Sequence, residues 1–230
     1  MNSEDADVAA ALDVLSARGW LSQRSQATRR RLAGIARLRN FRNTEPIYLA
    51  GDAPNGIFGL VSGSITVSFP RGDGEDYVMH RFGAGVWFGD LALFSRGVRL
   101  VSVHATEATT AIHLPPQDLE RLVHDEPALY ADFYEMTYEN FLTAFKVITN
   151  LAIPSADKRV ADRLVLETAT RADSAGWIAL SQPELARLIA VSLPTLQRLI
   201  RRFVGEGIVE QGYGCLRVVD PDALRRICQQ

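Results

Sequence analysis

Arginine and glutamine side chains are concentrated in residues 181–204, at a spacing that could place them in a groove of DNA. This stretch holds four arginines against a single acidic residue, Glu184. In the major groove arginine can pair with guanine through two hydrogen bonds, and glutamine can pair with adenine in the same way. The polar side chains that a helix would present together are those of Ser192, Thr195, Gln197, Arg198, Arg201 and Arg202. We predict that these six residues bind double-stranded DNA, with Gln197 and Arg198 reading bases.

Two short helices joined by a tight turn would position these side chains. Ser181 is a suitable N-cap for the first helix, and Glu184 three residues later completes a capping box. Ser192 can cap the second helix, whose apolar residues Leu196, Leu199, Ile200 and Phe203 recur at helical spacing. The alternative is an amphipathic helical hairpin with a solvated basic face. Two short runs around Gly212-Tyr213-Gly214 predict a β-hairpin, and a hairpin in this place favours a winged helix-turn-helix.

Composition limits the classes of protein to consider. The chain has 230 residues, of which 47% are apolar, so it can form one large or two small domains with real cores. Its net charge is only −2, so a nucleic-acid contact has to come from a local patch. The two cysteines, Cys215 and Cys228, predict neither a disulfide framework, nor a zinc site, nor an iron–sulfur cluster.

The sequence also bears on where the protein works. Its acidic start, MNSEDAD, lacks the basic residues that open a signal peptide. No apolar run approaches the length that spans a membrane. We therefore expect a cytoplasmic protein that does not act at a membrane.

Two further segments precede the DNA-reading stretch. Residues 8 to about 39 have helical spacing, whereas residues 41–114 consist of short apolar or alternating runs separated by turns such as Gly72-Asp73-Gly74. Many short strands at near-regular spacing predict an antiparallel sandwich or barrel. We expect a sensor domain over residues 1–153, a hinge at Pro154-Ser155, and a DNA-binding domain over residues 154–230.

A long helix is predicted at about residues 127–153, and its apolar residues are spaced alternately four and three apart. The seam comprises Tyr130, Tyr134, Thr137, Phe141, Ala144, Ile148 and Leu151. Such spacing is typical of a coiled-coil dimer, although the same stripe could pack on the chain's own sheet. A second stripe comprises Leu129, Phe133, Met136 and Val147.

From about Trp20 to Val219 this order of elements resembles the Crp/Fnr superfamily, that of the cyclic-AMP receptor protein and the fumarate–nitrate reductase regulator. The resemblance includes Gly51-Asp52, Gly63, and Gly85 ahead of the run FGDLALF at residues 88–94. It implies an α+β fold: a cyclic-nucleotide-binding-type β-roll (jelly-roll) with flanking helices, a long dimerisation helix and a C-terminal winged helix-turn-helix. It also implies a homodimeric transcription regulator that binds a near-palindromic operator and works with RNA polymerase.

The same resemblance implies an effector site. Members that bind cyclic nucleotides carry roughly F-G-E-L-x-L and then R-[ST]-A. Here Gly89 and Leu91 match, Asp90 replaces the glutamate, and Arg99 aligns with the phosphate-binding arginine if the loop is one residue shorter. The other residues that we place at this site are Leu100, Phe141, Ala144 and Phe145. Leu100, Ala144 and Phe145 stand where cyclic-AMP binders offer hydrogen-bonding side chains, so we expect an effector other than cyclic AMP.

Other functions compete with this interpretation. A cyclic-nucleotide-responsive regulator, or a haem-based gas sensor using His80, His104, His113 or His124, would have the same fold. A cyclic-nucleotide module without DNA binding would lack the helix-turn-helix. Residues 83–89 nearly spell a dinucleotide fingerprint, but the third glycine comes one residue late and no βαβ unit surrounds it, so we expect no enzyme.

Overall fold

The computed structural model describes residues 3–71, 76–172 and 175–229. The predicted turn Gly72-Asp73-Gly74 therefore lies outside the described residues. The chain divides into two compact units, Met1–Leu142 and Thr143–Gln230. This division falls inside the long helix, ahead of Pro154. The hinge expected there and the domain boundary expected at residue 153 stay predictions.

The first unit is a β-roll with helices before, within and after its strands. Its helices are α1 (Ser3–Ser16), α2 (Gln26–Ala33), α3 (Asp90–Ser95), α4 (Pro116–Asp125) and α5 (Leu129–Ala152), of which α5 continues into the second unit, and a 3₁₀ turn spans Trp20–Gln23. Its strands are β1 (Arg37–Phe41), β2 (Pro46–Tyr48), β3 (Ile57–Ser62), β4 (Ser64–Pro70), β5 (Asp76–Gly83), β6 (Trp87–Phe88), β7 (Ser102–Ala105) and β8 (Thr109–Leu114). They form two antiparallel sheets, ordered β1-β8-β3-β6 and β2-β7-β4-β5. The predicted β-roll is confirmed.

The expectation of helix as far as Arg39 is wrong. The helical part ends at Ala33, and Arg37–Phe41 pairs with β8 as an edge strand. Pairing with a distant strand decides the conformation here, because β-structure depends on context more than helix propensity does.

Two clusters of buried side chains hold the first unit together. In one cluster, Trp20 packs edge-on against Trp87 with ring centroids 5.3 Å apart, and it stacks on Phe133 of α5 at 5.6 Å. The other cluster fills the roll, where Phe58 stacks on Phe88 at 5.6 Å. The first cluster fixes the N-terminal half of α5 against the roll, and the second includes Tyr48, which contacts the predicted effector residue Arg99.

The helix α5 presents an apolar stripe that differs in phase from the predicted seam. Leu129, Phe133, Met136 and Val147 are buried, as the second stripe predicted. The exposed stripe, by which we mean Tyr134, Tyr138, Phe141, Phe145 and Ile148, keeps the four-three spacing. Of the predicted seam, Tyr130 is also exposed, whereas Thr137, Ala144 and Leu151 are only partly exposed. The seam as a dimer contact stays a prediction. Thr137 turns inward because its hydroxyl donates a hydrogen bond to Asp90.

The second unit is a helical domain with a small sheet. Its elements are the end of α5, α6 (Ala156–Arg171), β9 (Trp177–Ile178), α7 (Gln182–Leu188), α8 (Leu193–Gly205), β10 (Val209–Gly212), β11 (Cys215–Val218) and α9 (Pro221–Gln229). The hairpin β10–β11 is the predicted wing, and β9 extends it to a three-stranded antiparallel sheet. The core lies between α6, α7, α8 and this sheet. Among the described residues, no helix combines the length and apolar character needed to cross a membrane.

Candidate nucleic-acid interface and effector pocket

Local hydrogen bonds fix the two helices of the helix-turn-helix. The Ser181 hydroxyl accepts from the amide of Glu184 at 3.3 Å, and the Ser181 amide donates to the Glu184 carboxylate at 3.2 Å. This is the predicted capping box. At α8, the Ser192 hydroxyl accepts from the amide of Thr195 at 3.3 Å. A proline in the first turn of each helix costs no hydrogen bond, since the first amides of a helix have no internal partner.

The turn between these helices has an unusual residue. Ala190 has φ 50°, in the left-handed region that normally takes glycine. The amide of Val191 donates to the carbonyl of Ala186 at 3.0 Å, and the amide of Ala190 donates to that of Arg187 at 3.3 Å. These two bonds form a Schellman motif, which redirects the chain sharply from α7 into α8.

The outer face of α8 is polar and basic. Leu196, Leu199, Ile200 and Phe203 are buried beneath it, so the helix is held by its inner stripe as predicted. Gln197, Arg198 and Arg201 are exposed, and within the described residues neither arginine forms an ion pair. These three side chains are therefore accessible to a binding partner.

The other three predicted DNA-binding residues have partners within the protein. Arg202 lies 3.7 Å from the carboxylate of Asp157 and 3.8 Å from that of Glu206, so it leans toward α6 and the end of its own helix. The hydroxyls of Ser192 and Thr195 are 2.8 Å apart and bond to each other. A DNA contact by Arg202 requires exchange of its two surface ion pairs, which are individually weak.

Two side chains of the wing, Tyr213 and Arg217, were not among the predicted DNA-binding residues. Tyr213 is fully exposed at its tip, between Gly212 and Gly214. Arg217 donates to the Glu210 carboxylate at 2.5 and 3.1 Å, and its guanidinium lies 5.0 Å from the Trp177 ring centroid. An aromatic residue between two glycines at a turn was the available signal for Tyr213. No comparable signal for Arg217 is present in the sequence, because its neighbours Glu210 and Trp177 come from other strands.

In the first unit, Arg99 is buried in the candidate effector pocket, with only 3% of its surface exposed. Its guanidinium donates to the Gly89 carbonyl at 2.6 Å, the Asn55 side-chain oxygen at 2.5 Å and the Gly56 carbonyl at 2.7 Å. It also lies 4.0 Å from the Tyr48 ring centroid, in a cation–π contact. Burial lowers the pKa of Arg99 from its usual value, and the neighbouring Tyr48, Asp90 and Asp52 oppose that shift. The protein's own oxygens thus bond to both terminal nitrogens of Arg99, whereas its buried Nε has no hydrogen-bond partner among the described residues.

Asp90, at the start of α3, is equally buried and faces α5. Its carboxylate accepts from the Thr137 hydroxyl at 2.5 Å and from the Asn140 side-chain amide at 3.1 Å. The same amide donates to the carbonyl of Trp87 at 3.0 Å. Burial raises the pKa of Asp90 above its usual value, while these donors and Arg99 act in the opposite direction. Asp90 thus bonds to two side chains of α5.

The backbone around Arg99 is tightly constrained. Gly89 has φ 97°, and a Cβ there would lie 2.8 Å from the Gly56 carbonyl oxygen. His113 stacks on Phe58 with ring centroids 4.7 Å apart, and its Nε2 bonds to the Asn55 carbonyl at 2.7 Å. Burial lowers the pKa of His113 below its usual value, so the neutral ring with Nε2 as donor is favoured. The Asn55–Gly56 segment is therefore fixed by Arg99 through two of its oxygens and by His113 through the Asn55 carbonyl.

The structure brings together only part of the predicted effector set. Gly89, Asp90 and Arg99 meet in the roll, whereas Leu91, Leu100 and Phe141 are exposed. Ala144 and Phe145 belong to the second compact unit, and their role in an effector site stays a prediction. Tyr48, Asn55 and Asn140 were not recognised from the sequence as residues of this site, and His113 and Thr137 were assigned to other roles. Among the described residues, no group of three or more His, Cys, Asp or Glu side chains could hold a metal ion.

Comparison with known proteins gives two family matches. Residues 38–126 match the cyclic nucleotide-binding domain, and residues 158–227 match the Crp-like helix-turn-helix domain. The first range contains Arg99 and Asp90, and the second contains the whole helix-turn-helix. Together the two matches cover more than half of the chain.

Individual relatives agree with this assignment. The cyclic AMP receptor protein of Thermus thermophilus is 25% identical over 183 residues, covering 80% of this chain and 84% of that protein. The transcriptional regulator SdrP of the same organism is 22% identical over 174 residues, covering 74% of this chain and 82% of that protein. The solved structure of FixK2 from Bradyrhizobium japonicum superposes with a TM-score of 0.73 at 19% identity, covering 84% of this chain and 97% of that one. The β-roll matches the first family model, the winged helix-turn-helix matches the second, and the relatives align over most of their length. The chain therefore belongs to the Crp/Fnr superfamily of transcription regulators.

Proposed function

We propose that the protein is a homodimeric, sequence-specific DNA-binding transcription regulator whose β-roll does not respond to cyclic AMP. The observation that carries the DNA-binding part is the outer face of α8. Gln197, Arg198 and Arg201 are exposed there on a rigidly capped helix, and neither arginine is neutralised by an acidic side chain in the described residues. Arginine and glutamine in this position suit guanine and adenine edges in the major groove.

The exposed stripe of α5 supports a homodimer. Five large apolar side chains along one helix face form a patch of a kind that single soluble proteins rarely leave in water. Their alternating spacing of four and three suits a second copy of the same helix, packed in parallel or slightly crossed. Two DNA-binding units in such a dimer would meet successive major grooves about one helical turn of DNA apart, on a near-palindromic operator. By family resemblance, RNA polymerase is a further partner.

The occupied state of Arg99 supports an effector other than cyclic AMP. A cyclic phosphate would have to replace three hydrogen bonds of 2.5 to 2.7 Å and the contact with Tyr48. A hydrogen bond to a charged group contributes about 1.5–3 kcal/mol, so this exchange leaves little net gain. Asp90 is likewise already bonded to Thr137 and Asn140.

A cyclic-nucleotide-responsive regulator is the second candidate. The match of residues 38–126 to the cyclic nucleotide-binding domain favours it, as does the retention of an arginine and an acid in one pocket. In that case the nucleotide would draw Arg99 away from Gly89 and Asn55, and the freed carbonyls would need new partners.

Three measurements with the full chain test these proposals. Rounds of selection from random-sequence duplex DNA should enrich a palindromic site, and sedimentation should give the mass of a dimer. Enrichment of no site would refute a sequence-specific regulator. Titration calorimetry with cyclic AMP and cyclic GMP should then show no binding at micromolar concentration. Micromolar binding that also tightens the DNA complex would replace our proposal by the second candidate.

A further inference from the structure

Arg159, in the first turn of α6, bonds to two separate segments of the second unit. Its Nε and one terminal nitrogen donate to the carbonyl of Ile153, the residue after α5, at 2.9 and 2.8 Å. The other terminal nitrogen donates to the carbonyl of Ile189 at 3.0 Å and lies 3.4 Å from that of Ala190. Ile189 caps α7, and Ala190 is the left-handed residue of the helix-turn-helix turn. One side chain therefore links the end of the long helix to the turn that aims α8.

The chemistry of these contacts favours a guanidinium. Carbonyls at the C-terminal ends of helices have no partner within the helix and carry partial negative charge, which a cation stabilises. The rigid, planar fork of arginine can donate in two directions at once, whereas the ammonium of lysine is a compact charge on a flexible stem. The acceptors are all backbone carbonyls. Arg159 can therefore bond to them whatever the conformation of the neighbouring side chains.

A second contact holds the same junction. Asn150, fully buried in the last turns of α5, donates from its side-chain amide to the Arg159 carbonyl at 2.9 Å and to the Asp162 carboxylate at 2.8 Å. The start of α6 is thereby fixed to α5, and Arg159 extends this fixed block to the helix-turn-helix. The sequence predicts a hinge at Pro154. Hydrogen bonds of Arg159 with Ile153 and with Asn150 join the residues before this proline to those after it.

We infer that Arg159 is a positioning residue for DNA recognition: it fixes the direction of α8 relative to the end of α5, and so sets the spacing of half-sites that the dimer accepts. The inference rests on the proposed function, because only a dimer on two half-sites has a spacing to set. Arg159 touches no DNA base in this scheme and acts through the backbone of Ile153 and Ile189.

The experiment compares spacings on DNA. An operator obtained by selection with the wild-type protein is rebuilt with its half-sites moved by one or two base pairs. Each base pair added turns one half-site by roughly 35° about the DNA axis. Two recognition helices held in fixed directions can then no longer contact both half-sites together. Wild type should prefer its own spacing by about tenfold or more, since each lost set of base contacts has that order of effect.

The variants are Arg159→Lys, which keeps the charge, and Arg159→Met, which keeps the aliphatic stem. Matched controls are Arg225→Lys and Arg225→Met at an exposed arginine of α9 in the same unit. The measured quantity is the ratio of affinities for the two spacings, which cancels any uniform loss of active protein. In the Arg159 variants this ratio should fall below about threefold, whereas the control variants should keep the wild-type ratio.

The outcomes separate this inference from the proposed function. If Arg159→Lys or Arg159→Met folds and keeps the wild-type ratio, or if both variants fail to fold, Arg159 is only a structural residue and the inference is wrong. Wild-type binding that ignores spacing would also overturn it while leaving sequence-specific DNA binding intact. Absence of sequence-specific binding by the wild type would remove the proposed function, and the inference with it.

Discussion

Replacing Arg99 by methionine should destabilise the first compact unit, because this arginine is a structural member of the pocket. The substitution keeps most of the volume of the side chain but removes every donor. It leaves three oxygens, on Gly89, Asn55 and Gly56, without their present partner. If this arginine were instead available to bind a phosphate, the same change would impair ligand binding and have little effect on the free energy of unfolding.

The size of the effect follows from these contacts. Three hydrogen bonds from a charged donor contribute about 1.5–3 kcal/mol each, and a desolvated cation–π contact such as that with Tyr48 contributes about 2 kcal/mol. Against this stands the cost of burying a guanidinium, which the lowered pKa of Arg99 reflects. We expect a net loss of about 2–4 kcal/mol in the free energy of unfolding.

The assay is urea-induced unfolding followed by tryptophan fluorescence. Trp20 and Trp87 are buried in the first unit, whereas Trp177 lies in the second, so a Trp177→Phe background makes the signal report the first unit alone. The matched control is Arg42→Met at an exposed position, which should change the free energy of unfolding by less than about 0.5 kcal/mol. If Arg99→Met cost less than about 1 kcal/mol, the internal bonds would not hold this arginine in solution. The pocket would then be open to an anion, and the cyclic-nucleotide alternative would gain support.

Four more substitutions test other parts of the argument. Arg198→Ala should weaken binding to the selected operator by about 1–3 kcal/mol and relax preference at one base pair in affinity assays, whereas equal loss on all DNA sequences would mark a phosphate contact. Phe141→Glu places an unpaired charge in the exposed stripe and should give monomers in sedimentation, so a folded dimer would contradict that interface. Ala190→Gly relieves about 1–2 kcal/mol of left-handed backbone strain against about 0.4–1 kcal/mol of added unfolded-chain entropy, so thermal unfolding should show a net gain and a loss would refute the strain. Because burial raises the folded-state pKa of Asp90, its contribution to stability is present below about pH 4 and is lost as pH rises through the raised pKa. The Asp90→Asn variant should lack this decline in urea titrations at several pH values, and parallel pH curves would contradict the assignment.

Local signals made the DNA-reading part of the fold predictable. The capping box of Ser181 and Glu184, the cap at Ser192 and the apolar spacing of α8 involve residues within a few positions of one another. The short strands β1, β6 and β9 were missed because they exist only through pairing with distant partners. The two-residue strands in particular carry too few side chains to show an alternating pattern.

The state of the effector pocket could not be predicted for the same reason. The residue types at Asp90 and Arg99 were visible in the sequence, but the partner Asn55 lies 44 positions before Arg99, and Thr137 lies 47 positions after Asp90. Which oxygen reaches a buried guanidinium depends on how the roll closes. The phase of the exposed stripe on α5 likewise depended on Thr137 turning toward Asp90, a contact that spacing alone does not show.

The continuity of α5 across the two compact units bears on how such regulators exchange parts during evolution. The second unit begins at Thr143, within the helix, and not at the proline that follows it. Val147 and Asn150 are buried there, and Asn150 is bonded to α6. A recombination event that joined a new sensor at Pro154 would remove these residues from the DNA-binding unit, whereas one upstream of Thr143 would transfer them with it. The unit that could be inherited as a whole is therefore longer than the helix-turn-helix domain, and it includes the last turns of α5 as part of its own core.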